Sequence, residues 1–139
     1  MIPDRIIEAG TLTTHGERAA VEVRLPWYRA LPGSCISEVG FSVDGVAIAP
    51  DSLRWTMNGR TFQIHELKDE VDEWWFPADS VLVEGNVHVE PGDQDHRVDV
   101  ELKLFIPYIV TDHGVLRIEE HDTKTMPAIA ADTTKAGQR

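Results

Sequence analysis

His96-Arg97-Val98-Asp99-Val100-Glu101-Leu102-Lys103-Leu104-Phe105-Ile106 is the stretch that decides the fold. Val98, Val100, Leu102, Leu104 and Ile106 occupy every second position, with Arg97, Asp99, Glu101, Lys103 and Phe105 between them. Successive side chains of an extended strand point to opposite faces, so this is a strand with one apolar and one mainly charged face. Working outward, Val21, Val23 and Leu25 alternate with Glu22 and Arg24, and Val81, Val83, Val87 and Val89 repeat across a run that Gly85 breaks in the middle, which predicts a bulge. Asp44-Gly45 lies between FSV and VAI, and Asn58-Gly59 between LRWTM and RTFQI. Both dipeptides favour the positive φ that tight two-residue hairpins require. Pro91-Gly92-Asp93 marks a third turn. Residues 65–75 alone suit a short helix, with Leu67, Val71 and Trp74 or Trp75 on one side. The expectation is an all-β chain, an antiparallel β-sandwich or open barrel with at most one short helix.

The chain has 139 residues, enough for one domain with its own core, and 42% of them are hydrophobic. The domain is expected over 1–120. Residues 121–139, rich in Thr and Ala and without aromatics, read as a flexible tail or as an arm that orders on a partner through Met126, Pro127 and Ile129. Acids outnumber Lys and Arg 24 to 13, a net charge of −11, which argues against nucleic acid as a partner. No apolar run approaches the roughly 20 residues needed to span a bilayer, so no membrane is expected. MIPDRIIEAG carries acids early and has no apolar signal core. With Cys35 the only cysteine, a reducing cytoplasm is the expected location.

The usual catalytic signatures are weak. His15, His65, His88, His96, His113 and His121 include no HxH or HExxH spacing, although ligands can assemble from distant strands. Cys35, in Gly33-Ser34-Cys35-Ile36, has no adjacent base and reads as a small buried hydrophobe. Asp69, Glu70, Asp72 and Glu73 read as a solvated face rather than a glycosidase carboxylate pair. Two loops stand out. Leu25-Pro26-Trp27-Tyr28-Arg29-Ala30-Leu31-Pro32 sets two aromatics and an arginine between prolines. Stiff loops carrying Trp, Tyr and Arg are typical of interface hot spots. Asp72-Glu73-Trp74-Trp75-Phe76-Pro77 places three aromatics in a row, which cannot all face one core. Tyr108, in Ile106-Pro107-Tyr108-Ile109, is of the same kind. No catalytic residue is assigned; the candidates for substrate or subunit contact are Trp27, Tyr28, Arg29, Trp74, Trp75, Phe76 and Tyr108.

LPWYRALPGSCISEV (25–39), SVDG (42–45), LRWTMNGRTFQI (53–64), DEWWFPAD (72–79) and ELKLFIPYI (101–109) together resemble the β subunit of bacterial C-glycoside deglycosidases. The resemblance implies a β-sandwich subunit of a hetero-oligomer. Its α partner would be a TIM barrel similar to sugar phosphate isomerases and epimerases, holding the divalent metal (often manganese) and the catalytic base. The pair would cleave the carbon–carbon bond between a 3-oxo sugar and an aromatic aglycone such as a flavonoid. This chain would then hold no cofactor, would stabilise the α subunit and lend loops to its pocket, and would join a closed higher-order αβ assembly. Two other readings stay open on the residues alone: a stand-alone glycoside-binding module using the tryptophans as a platform, and a small metal enzyme built on the scattered histidines.

Overall fold

The computed structural model describes residues 6–131. In chain order the strands are β1 (Thr13–His15), β2 (Arg18–Arg24), β3 (Leu31–Pro32), β4 (Ile36–Val43), β5 (Val46–Ala47), β6 (Arg54–Met57), β7 (Arg60–Gln63), β8 (Trp74–Trp75), β9 (Ser80–Asn86), β10 (Asp95–Thr111), β11 (Gly114–Pro127) and β12 (Ile129–Ala130). They form a six-stranded sheet β12-β1-β2-β9-β6-β7, a four-stranded sheet β11-β10-β4-β5 and a small sheet β3-β8. Pairing is antiparallel except between β1 and β12. Among the described residues every sheet ends in unpaired edge strands, so the sheets pack as a sandwich and do not close into a barrel.

The alternation over 96–106 is realised in β10, where Val98, Val100, Leu102, Leu104 and Ile106 are fully buried. Val21 and Val23 of β2, Val81 and Val83 of β9 and Trp55 of β6 join them in one core with Phe41 and Val43 of β4. Burying each such aliphatic side chain contributes about 1.5–3 kcal/mol, and Leu102→Ala would cost about 2–5 kcal/mol through the cavity it leaves. Both hairpin dipeptides adopt left-handed φ: 52° and 81° at Asp44 and Gly45, 56° and 78° at Asn58 and Gly59.

Three expectations are corrected. The helix over 65–75 stops early: a 3₁₀ helix spans Ile64–Asp69, with Gln63 and Glu66 forming a capping box, Val71 is exposed, and Trp74 and Trp75 form β8. Pairing of β8 with β3 overrides the helical spacing of these residues. Gly85 makes no bulge, because the β2–β9 register runs unbroken through Ala19↔Gly85. A Cβ there would lie 2.4 Å from Ile48 Cγ2, so the glycine serves close packing instead. Residues 121–130 are not a tail. Through Pro127 they complete β11 along β10; Ile129 and Ala130 then cross to pair with β1 in the other sheet. Met126 and Ala128 are buried, and Asp122, also buried, accepts the Ile7 N–H at 2.8 Å. Threonines that resemble linker composition are also good strand formers. Residues 132–139 lie outside the described residues.

Candidate functional site

The two aromatic loops meet. Leu31 pairs with Trp75 and Pro32 with Trp74 across β3 and β8. The ladder continues as the Gly33 N–H donates to the Glu73 carbonyl at 2.7 Å and the Ser34 N–H to the Glu70 carbonyl at 3.1 Å. From the Asn58-Gly59 turn, Asn58 Nδ2 donates to the Trp74 carbonyl at 3.0 Å. Arg60 sits between the carboxylates of Glu70 and Glu73, at 3.5 and 3.2 Å. These two members of the acidic run therefore fasten β7 to the loop that carries the tryptophans.

Adjacent positions in an extended strand face opposite ways, and this separates Trp74 from Trp75. Trp75 is fully buried, packs edge-on to Trp55 at 5.0 Å between ring centroids, and donates its indole N–H to the Asp79 carbonyl at 2.9 Å. It is a core residue, and the structure removes it from the candidate surface. Trp74 is 41% exposed and Phe76 50% exposed.

Tyr108 reaches the first loop because β10 breaks there. The β10–β11 register jumps from Ile106↔Leu116 to Val110↔Val115, leaving Pro107, Tyr108 and Ile109 without partners on β11. Pro107 has no N–H to give the ladder, so the strand bulges at that position. The lifted Tyr108 hydroxyl accepts the Trp27 indole N–H, and the Arg29 guanidinium lies 4.4 Å from the Tyr108 ring centroid. Tyr28 stacks obliquely on Trp27, centroids 5.0 Å apart, and is 71% exposed. Its phenol is held above the ordinary value, first by a hydrogen bond with the Tyr108 hydroxyl, so at neutral pH it can donate a hydrogen bond but is no base. Trp27, Tyr28, Arg29 and Tyr108 thus form one preorganised polar-aromatic cluster.

Other candidates disperse. Cys35 is buried, and burial pushes its thiol up, which disfavours the nucleophilic thiolate. Among the described residues no three His, Cys, Asp or Glu side chains come together as a metal-binding group. His88 is bound up with Glu90 and Glu17, and His96 is buried against Asp44. Sequence reasoning missed the apolar end of the β10–β11 hairpin, where Val110 and Val115 are exposed. Pro107 inside a long alternating run was the available signal.

Residues 9–108 match the family model described as C-glycoside deglycosidase beta subunit. The chain is 65% identical over 126 residues to a C-glycoside deglycosidase beta subunit of Arthrobacter globiformis, covering 91% of this chain and 96% of the relative. It is 57% identical over 132 residues to one from Microbacterium trichothecenolyticum, covering 94% and 100%. It is 35% identical over 127 residues to a 3'-dehydrocarminate deglycosidase beta subunit from a Microbacterium species, covering 91% and 95%.

Proposed function

The chain belongs to the C-glycoside deglycosidase beta subunit family, and from that premise we propose that it is the small, non-catalytic partner of a metal-dependent TIM-barrel α subunit. The pair cleaves the sugar–aglycone carbon–carbon bond of a 3-oxo-C-glycoside with an aromatic aglycone. A ketone at C3 acidifies the C2 proton, a base on the α subunit removes it, the electrons left at C2 form the C1=C2 bond, and the aglycone leaves C1 with the electrons of the broken C–C bond and takes up a proton. A divalent metal in the α subunit would supply polarisation of the ketone oxygen. The dehydro substrate in the name of the Microbacterium relative fits action on an oxidised sugar.

The observation that carries this reading for the present chain is the Trp27–Tyr28–Arg29–Tyr108 cluster, anchored to Trp74 and Phe76 through β3 and β8. It is aromatic and held by its own contacts, with Trp27 half-buried against the core and Tyr28 and Tyr108 exposed. Its role is to anchor the α subunit and to border the aglycone end of the pocket. The test compares cleavage of a 3-oxo-C-glycoside by this chain alone, by the α subunit alone and by the two together. Turnover is expected only with the α subunit present and is raised by this chain; measurable cleavage by this chain alone overturns the proposal.

A further inference from the structure

We propose that the half-open cleft between the start of β4, the Pro50–Ser52 turn and the 3₁₀ helix Ile64–Asp69 binds a small amphipathic monocarboxylate, a single carboxylate on a flat apolar body. The cleft has a volume of ≈ 540 Å³, within the range of small-molecule sites. Ile36, Ile64, Pro50 and Phe105 supply apolar wall. Phe105 is the one aromatic on a face of β10 otherwise carrying Arg97, Asp99, Glu101 and Lys103, and it remains 37% exposed beside the cleft.

The charge of the ligand follows from Lys68. Among the described residues every other lysine and arginine has a partner, as in Arg24–Glu8 at 2.7 Å, Arg60–Glu73 at 3.2 Å and Lys103–Glu38 at 3.4 Å. Arg29 has the Tyr108 ring and Arg54 has backbone carbonyls. Lys68 has no ion pair, hydrogen bond or ring contact, although the chain carries net charge −11, and it lines the cleft with His65. A cation left unpaired in an acidic protein, next to apolar wall, complements an anion whose body is apolar. Asp51 lines the same cleft, so a second negative charge on the ligand would meet repulsion, and a monoanion fits best. Ser34 and Ser37 complete the polar part of the lining. This site is independent of the α-subunit reading: it uses none of the residues in the Tyr108 cluster.

The test is nitrogen-15 NMR titration of the full chain with benzoate, benzamide and phthalate. Benzoate is expected to shift the amides of residues 34–37 and 63–68 saturably, with benzamide and phthalate each at least tenfold weaker. Lys68→Met, at an exposed position, should weaken benzoate at least tenfold and leave benzamide unchanged. Phe105→Ser should weaken benzoate and benzamide alike. Equal binding of benzoate and benzamide, shifts elsewhere only, or unchanged benzoate affinity in Lys68→Met overturns the proposal. So does displacement of bound benzoate by the α subunit, which would assign the cleft to the protein interface.

Discussion

His96 shows how one buried polar residue links two turns. Its Nδ1 faces Asp44 Oδ2 at 2.7 Å and its Nε2 faces the Glu90 carbonyl at 2.9 Å. Two facing acceptors favour the doubly protonated ring, which can donate to both. Its pKa is raised from 6.5, first by the Asp44 hydrogen bond, and that of Asp44 is lowered from 3.8, first by the same bond. A raised folded-state value adds stability that is complete below the unfolded pKa and is lost as pH rises through the folded one. The lowered Asp44 value adds stability that is complete above its unfolded pKa and is lost as pH falls through the folded one. The pair therefore stabilises most between 3.8 and 6.5. Thermal melts should show Tm falling from pH 6 to 8.5. Asp44→Asn should flatten that slope while preserving the turn, because asparagine tolerates the φ of 52° at this position. An equally steep profile in the variant would remove the pair from the account.

Trp55 and Trp75 make a second contrast at this scale. The Trp75 N–H has the Asp79 carbonyl, whereas the Trp55 Nε1 is buried with no hydrogen-bond partner. Trp55→Phe removes an unsatisfied donor that costs about 1–3 kcal/mol, which offsets part of the lost packing. Trp75→Phe instead loses a hydrogen bond that is made, the one to the Asp79 carbonyl. Denaturant unfolding should find Trp75→Phe the more damaging by about 1–2 kcal/mol.

At the scale of elements, legibility in the sequence followed the number of buried faces and the turn chemistry. β10 was readable because a full apolar face of five residues enters the core. Its partner β11 was not, because its buried residues are only Asp122 and Met126. An edge strand with little to bury writes no apolar alternation, and its position comes mainly from the long ladder with β10. Gly85 was readable as special, but the reason lay in a tertiary neighbour that no local pattern records. Gly85→Ala should destabilise by about 1–3 kcal/mol by overpacking against Ile48. Combined with Ile48→Ala, the total should fall below the sum of the single costs by at least about 0.5 kcal/mol. Strict additivity in a double-mutant cycle would point to backbone strain in β9 rather than a clash.

At the scale of the whole molecule, the candidate surface was half legible. The loops were marked by their prolines and aromatics, but which tryptophan faces outward depends on the one-residue parity of β8, set by its pairing with β3. Tyr108 joined Trp27 only through a bulge between distant elements. That division makes the assembly proposal separable from stability. Tyr28 and Trp74 are exposed, whereas Trp75 is core. Tyr28→Ser and Trp74→Ser should leave the melting temperature within about 2 °C, since surface changes alter stability by only about 0.5 kcal/mol. Each should nevertheless weaken binding to the α subunit by about 2 kcal/mol, roughly thirtyfold, as truncation of aromatic anchors at a desolvated interface does. Trp75→Ser should act the other way, costing fold stability of about 3–5 kcal/mol. Calorimetric titration against the α subunit, with thermal melts of each variant alone, distinguishes the two. Wild-type affinity in both exposed variants would move the interface away from β3 and β8, toward the exposed Val110 and Val115 at the end of the β10–β11 hairpin.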